Sequence, residues 1–190
     1  MKRIRLGIDL DGVVVDFNRG WVERYNRDFD ACLSPDDIVE WDAPLELTHF
    51  ADMSEFWSWA RTCGEGRSLF RPLRPYPGAL EALGTLAAEG HRLVILTTKP
   101  HFAVHDTYEW LAEHRVPTTE VHILDHKSAV ECDVYVDDAD HNLAALLRDR
   151  PGAVVCRYVR PWNRHHPGAR DVEGWSDLRE VVWQVAGAGG

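Results

Sequence analysis

The sequence predicts an α/β fold, a Rossmann-like parallel sheet with a small helical cap inserted after its first strand. Three observations predict it. From residue 77 onward short apolar strands alternate with amphipathic helices, which implies a parallel sheet covered on both faces by right-handed crossovers. Those strands stop at polar residues, and in such sheets ligands sit beyond the carboxyl ends of strands, at the switch point. Residues 17–76 break the rhythm and hold 11 of the 19 aromatic residues in under a third of the chain.

The first strand closes in Ile8-Asp9-Leu10-Asp11-Gly12 and leads through Val13-Val14-Val15 to Asp16-Phe17. The stretch that follows reads as helical pieces over residues 21–29, 35–41 and 53–61. It has no Lys or Arg from Asp28 to Ala60, while Arg61, Arg67, Arg71 and Arg74 crowd its exit. The expected division is therefore core over 1–16, cap over 17–76 and core again over 77–190. A cap above a strand-end site is a lid that excludes water and shapes a pocket. Trp21, Phe56, Trp57 and Trp59 have a near-helical spacing that suits a packed face as well as a pocket wall, since a cap of about 60 residues needs large side chains to hold together. Gly64-Glu65-Gly66 lacks the Gly-Lys-Ser/Thr ending of a phosphate loop and takes no nucleotide role.

After Pro77-Gly78 a helix carries Leu80, Leu83 and Leu86 on one face and stops at Gly90. Leu93–Leu96 is a short buried strand ending at Thr97-Thr98. A helix around Val104, Tyr108 and Leu111 follows, then a strand over 121–124 and another over 132–136. Leu143, Leu146 and Leu147 mark the next helix, residues 153–156 one more strand, and Ser176 is the expected cap of a last amphipathic helix through Leu178, Val181, Val182 and Val185.

At 190 residues the chain is one ordinary domain with an insertion, long enough to bury a core. Its net charge of −10 disfavours nucleic-acid polymers and anionic membranes, without excluding a small anion in a locally positive pocket. Cys32, Cys63, Cys132 and Cys156 show neither a CxxC pair nor zinc spacing and read as reduced, buried thiols. His165-His166 reads as solvated surface. No signal peptide and no membrane-length apolar run is evident, so a cytoplasmic location is expected. Monomer and homodimer both stay open.

The chemistry lies in the strand ends. Asp9 and Asp11 close one strand, Asp137 and Asp138 another. Apolar strands that end in clustered carboxylates are costly unless something binds those charges. A hard divalent cation with oxygen ligands does so most simply, and Mg²⁺ holding a phosphate is the expected cofactor.

Asp9 and Asp11, then Thr97-Thr98, Lys127 and Asp137-Asp138, follow one another in the order that resembles the haloacid dehalogenase (HAD) superfamily of phosphohydrolases: Asp-x-Asp-Gly, a strand-ending Ser/Thr, a Lys and a paired acidic motif. Within it the chain looks most like the 5′(3′)-deoxyribonucleotidase branch, through Asp16-Phe17 after Asp-Gly-Val, Pro75-Tyr76-Pro77-Gly78-Ala79, and Lys127 ten residues before Asp137. The resemblance implies a phosphomonoester hydrolase. Asp9 would be the nucleophile and Asp11 the acid and base, protonated at the start through crowding by other carboxylates. Thr97 would donate to phosphate, Lys127 would offset charge, and Mg²⁺ would sit on Asp9, the Asp11 carbonyl and Asp138, with Asp137 as a further ligand or a partner of Lys127. A nucleoside monophosphate is the implied substrate, with Phe17 against the base and Thr98, Trp41 and Phe70 as further contacts. Residues 157–164, rich in Arg and holding Trp162, could rim the pocket or lie on the surface. Two alternatives stand beside this reading. One is a HAD phosphatase or phosphotransferase for another small phosphorylated metabolite. The other is a phosphoreceiver module, in which Lys would follow every acidic residue, as Lys127 does not.

Overall fold

A computed structural model describes residues 2–64 and 66–188, so Glu65 of the Gly64-Glu65-Gly66 turn lies outside the described residues. Six strands form one parallel sheet: β1 (Arg5–Ile8), β2 (Arg92–Thr97), β3 (Val121–Ile123), β4 (Val134–Asp137), β5 (Val154–Tyr158) and β6 (Arg170–Val172), in the order β3-β2-β1-β4-β5-β6. The helices are α1 (Phe17–Phe29), α2 (Ala43–Leu47), α3 (Met53–Ala60), α4 (Ala79–Ala88), α5 (Val104–Glu113), α6 (Asp140–Asp149) and α7 (Trp175–Gly187).

Alternation along the strands divides the sheet between two layers. Leu93, Ile95, Val134 and Val136 pack with Leu83 and Leu86 of α4, Trp110 and Leu111 of α5, and Leu178, Val181 and Val182 of α7. Val94, Leu96, Tyr135 and Val155 meet Leu143 and Leu146 of α6 on the opposite face. The strand order reverses between β1 and β4, where Ile8 is in register with Val136. A crevice therefore opens beyond these two strands, and both carry an aspartate immediately after their paired residues.

The chain leaves the sheet and re-enters it through a narrow neck. Val15 pairs with Pro75, the Asp16 N–H donates to the Arg74 carbonyl (2.9 Å), and the Tyr76 N–H donates to Val14 (2.8 Å). Between these points the chain has an apolar cluster of its own, built on Trp21, Val22, Tyr25, Ile38, Phe50, Phe56 and Leu69. The α1 helix begins at Phe17, four residues ahead of the expected start, because the Asp16 side chain caps it by accepting from the Arg19 N–H (3.2 Å).

Several expectations are corrected. Residues 35–41 form only a 3₁₀ turn, Pro35–Asp37, closed by a Ser34/Asp37 capping box. The helix in that region is α2, which starts at Ala43 with Pro44 in its first turn. Strand β6 was unforeseen, since Arg170 and Asp171 sit on the sheet edge and carry no apolar alternation. Gly174, not Ser176, precedes the first residue of α7, and the Ser176 hydroxyl turns to Asp177 Oδ1 (3.3 Å). All four cysteines are free, but only Cys132 and Cys156 are buried; Cys32 is exposed and Cys63 half-exposed. Of the histidine pair, His165 is exposed, whereas His166 is half-buried against Asp140 Oδ1 (2.9 Å).

Leu83 is fully buried between α4 and the sheet. Leu83→Ala should cost about 2–5 kcal/mol through lost contacts and the cavity left behind. Equilibrium urea unfolding measures it, and an unchanged midpoint would contradict this packing.

Candidate active site

Asp9 follows β1 directly, its N–H continuing the ladder to the Val136 carbonyl (3.1 Å). The turn after it is tight: the Val14 and Val15 N–H groups both donate to the Leu10 carbonyl (2.8 Å each), which turns the chain back over the strand end. Gly12 sits in this turn with φ +76°, and a Cβ there would lie 2.0 Å from Asp138 Oδ2. Only glycine permits so close an approach between the two strand ends.

Asp9, Asp137 and Asp138 are all buried, and each offers an oxygen within 4.8 Å of the others. At that spacing and an effective dielectric near 20, each pair of charges repels by roughly 3–4 kcal/mol. Buried Lys127, presented by a one-turn 3₁₀ segment (Lys127–Ala129), offsets part of this. Its Nζ lies 2.9 Å from Asp9 Oδ2 and 2.6 Å from Asp137 Oδ2. Burial works against the ammonium, but Asp137 and Asp9 outweigh it, so the Lys127 pKa is raised. For Asp9 burial dominates; Lys127 opposes it, Asp137 and Asp11 add to it, and the pKa is pushed up to about 7. Asp138 is also held well above the ordinary carboxylate range, by burial first and then by Asp9 and Asp137.

The two acidic neighbours are not equivalent. Asp137 is saturated: Lys127 takes Oδ2, the Ala139 N–H takes Oδ1 (3.0 Å), and the Asn142 amide reaches both oxygens (3.1 and 3.3 Å). Asp138 Oδ2 accepts from the Trp162 indole (2.8 Å), while its other oxygen receives no hydrogen bond from the described residues. Asp9 Oδ1 accepts from the Leu10 N–H (2.7 Å). Two buried polar atoms lack partners here, Asp11 Oδ1 and Thr97 Oγ1. Hard oxygen donors, surplus negative charge and a glycine that keeps the strand ends close all fit a divalent cation.

A cavity of about 460 Å³ opens over this cluster. Its floor includes Asp9, Asp11, Gly12, Lys127 and Asp138, and its walls include Phe17, Ile38, Trp41, Trp57, Phe70, Thr98 and Trp162. The structure thus gathers Asp9, Asp11, Lys127, Asp138, Phe17, Trp41, Phe70 and Thr98 around one space. Thr97, 1% exposed, is absent from the wall. Thr98 lines it, although its hydroxyl donates to the Leu124 carbonyl (2.8 Å). Phe17 and Phe70 stack on each other (5.4 Å between centroids), and Trp41 is half-exposed with its ring edge-on to His141 at 5.5 Å. Among the residues of uncertain side, Phe56 and Trp57 line the cavity. Trp21 is buried in the cluster, and Trp59 carries Arg24 over its face at 4.4 Å.

Sequence reasoning missed two contributors, Lys99 and Asn142. Lys99, with its side chain 3% exposed, pairs with Asp11 Oδ2 and sits 4.4 Å over the Phe70 ring. The nearest charged partner of Asp11 is thus an ammonium rather than the crowd of carboxylates expected. Its place directly after Thr97-Thr98, at a strand end, was the available signal. Asn142 gave none, because an amide on a helix looks ordinary; Trp162, in the 157–164 stretch that could rim the pocket or lie on the surface, lines the cavity.

The match to known proteins spans nearly the whole chain. The family model described as 5′ nucleotidase, deoxy (pyrimidine), cytosolic type C protein (NT5C) covers residues 2–188. A Chlorobaculum tepidum protein provisionally named 5′(3′)-deoxyribonucleotidase is 30% identical over 94% of this chain and 90% of its own length. The human 5′(3′)-deoxyribonucleotidase, cytosolic type, is 26% identical over 98% of this chain and 97% of its own. A HAD family hydrolase of Deinococcus radiodurans R1, crystallised with phosphate and sodium, superposes with a TM-score of 0.61 at 16% identity, over 96% of each chain.

The elevated Asp9 pKa carries a sign for stability. The folded state holds that proton where the unfolded chain has already lost it, so between about pH 4 and pH 7 stability falls as pH rises, by on the order of 4 kcal/mol in total. In chelator, wild type should therefore lose stability relative to Asp9→Asn across this window. A pH-independent gap in thermal unfolding between the two proteins would contradict the burial of this charge.

Proposed function

The chain belongs to this nucleotidase family and is a phosphoric monoester hydrolase on the HAD fold, and from that premise we propose that it is a Mg²⁺-dependent 5′(3′)-nucleotidase of (deoxy)nucleoside monophosphates. The convergence of Asp9, Asp138 and Lys127 at the carboxyl ends of β1 and β4, beneath an aromatic-walled cavity, carries this reading. Residues 17–76 act as the cap over that cavity. The volume of about 460 Å³ falls within the usual 300–1,000 Å³ of small-molecule sites.

Asp9, the Asp11 carbonyl and the unbonded oxygen of Asp138 would hold the cation, which neutralises the phosphate dianion and orients it. Asp137 is the anchor of Lys127 in this reading, since both its oxygens are already engaged. Lys127 holds the Asp9 carboxylate and lowers the repulsion between it and the approaching ester. An Asp9 oxygen attacks phosphorus, forming the aspartyl-phosphate as the bond to the alkoxide breaks. Asp11 gives the leaving alkoxide its proton, then takes one from the water that attacks phosphorus, which releases inorganic phosphate and restores Asp9. Asp11 carries that proton only when released from Lys99, which pairs with its Oδ2 in this structure. The Thr97 hydroxyl lies off the cavity wall but is buried without a partner, and in this reading it donates to a phosphate oxygen. Phe70 is near-parallel to Phe17 and to Trp57, at 21° from each, while Phe17 and Trp57 are tilted by 41°, and these rings supply the face for a base. Stacking of this kind contributes about 1–3 kcal/mol per base in nucleic-acid proteins. Four free cysteines, and the lack of any helix long and apolar enough to cross a membrane among the described residues, are in keeping with a cytoplasmic enzyme.

Asp9→Asn should abolish turnover and Asp11→Asn should reduce it strongly. Near wild-type hydrolysis of p-nitrophenyl phosphate by purified Asp9→Asn would refute the nucleophile. Exhaustive chelation should stop the reaction and added Mg²⁺ restore it; full activity in chelator rules out the metal role. A phosphate-release screen over nucleoside monophosphates and sugar phosphates tests the substrate. Preference for dUMP or dTMP supports the nucleotidase, and preference for a sugar phosphate overturns it in favour of another small metabolite.

A further inference from the structure

One short segment after β5 grips both halves of the cation site. Arg160 Nε donates to the Gly12 carbonyl (2.6 Å), so it holds the turn that follows Asp9. Trp162 Nε1 donates to Asp138 Oδ2 (2.8 Å), and Asn163 Nδ2 donates to the Asp138 carbonyl (2.8 Å) and to Tyr158 (2.9 Å). The segment is itself braced. Asn163 Oδ1 accepts from the Arg160 N–H and from Arg157 Nη1 (3.1 Å each), and the Arg160 guanidinium lies over the Tyr76 ring at 3.9 Å. The Trp162 ring packs against the apolar cluster of residues 17–70.

We propose that Trp162 is a positioning residue for the divalent cation: its indole N–H fixes the Asp138 carboxylate so that the other oxygen faces the cation, and the cluster packed on its ring holds the indole in place. The inference rests on Asp138 being a cation ligand, and goes beyond that reading by naming what aims it. An indole N–H donates only, so it cannot compete for the cation, and it occupies Asp138 Oδ2 while the other oxygen receives no hydrogen bond from the described residues. Without it the carboxylate turns about its last torsion and the open oxygen loses its direction. Groups that orient metal ligands in this way are typically worth about 10–100-fold in metal affinity. Because the ring also belongs to the cluster of residues 17–70, cation affinity becomes linked to the packing of the segment that walls the substrate cavity.

The test is Mn²⁺ affinity, read from the electron paramagnetic resonance signal of free Mn²⁺ in full-length protein without substrate. Trp162→Phe keeps an aromatic ring and removes the N–H, and it should weaken binding about 10–100-fold. Trp162→Gln places an amide N–H the same number of bonds from the backbone and removes the ring, and it should bind more tightly than Trp162→Phe. The proposal is overturned if Trp162→Phe binds like wild type, or if Trp162→Gln binds no better than Trp162→Phe, which is the pattern of a merely packed ring. Wild type that binds no Mn²⁺, or Asp138→Asn that binds as wild type does, would overturn the ligand reading itself. Loss in Asp138→Asn without loss in Trp162→Phe overturns this proposal alone. Should the Trp162 variants fail to fold, the wild-type indole ¹⁵N–¹H spectrum decides. Among eight tryptophans, the Trp162 signal should move most on Mg²⁺ addition, and a static signal overturns the proposal.

Discussion

The structure is organised around a buried charge imbalance. Three carboxylates share a space less than 5 Å across and a single ammonium faces them. A fold that only needed stability would place leucine or valine at these strand ends, because burying an ion pair seldom beats packing apolar groups of the same size. Here the imbalance persists because the sheet ends tie it down. Asp9 continues the β1–β4 ladder, and Asp137 is the last residue of β4 and is held by three donors. The residual negative charge is then a standing affinity for a cation. Surface lysines could neutralise it only by leaving the site open to water.

Topology explains why these residues meet although more than a hundred positions separate them. Crossovers on one side carry the chain from β1 to β2 and β3; it then returns across β1 to place β4 on the other flank. The reversal prevents the connections from covering the crevice between β1 and β4. Gly12 lets the turn after β1 lean into that opening, and the neck at Val15 and Pro75 sends residues 17–74 over it. Sheet order, glycine and neck therefore deliver three separate things to one place: carboxylates, room for a ligand, and a wall.

Much of this was legible in the sequence, because it rests on strong local signals. Apolar runs that stop at polar residues marked β1, β2 and β4 together with Asp9, Thr97 and Asp137. Leu83, Leu86, Leu143 and Leu146 marked helices whose buried faces the structure reproduces. The failures have physical causes. Strand β6 is an edge strand with two polar residues in three, so it lacks the apolar pattern that reveals a strand. Residues 35–47 exchange a helix for a 3₁₀ turn and a later short helix, since Pro35 and Pro44 can each begin a turn and local propensity does not choose between them. Lys99 escaped because its importance comes from a partner distant in sequence, Asp11, and the stretch holding Trp162 read equally as rim or surface because its partner Asp138 is just as distant.

The aromatic residues show where periodicity ceases to inform. Phe56 and Trp57 are adjacent, yet Phe56 is fully buried in the apolar cluster built on Trp21, Tyr25 and Phe50 while also touching the cavity, and Trp57 is half-buried with its ring near-parallel to Phe70. Trp59, two residues on, faces Arg24 and donates to Asp28 Oδ2 (2.9 Å). Helical spacing distinguishes inside from outside only when a helix has one interior to face. The α3 helix has two, the apolar cluster beneath it and the cavity beside it, so a ring that supports the wall and a ring that forms it occupy the same stripe. Cavity wall and packing contacts are then made by neighbouring faces of one aromatic layer, and altering either displaces the other. Trp162 extends that layer to Asp138, so the layer that would receive a base also bears on a carboxylate of the cation site.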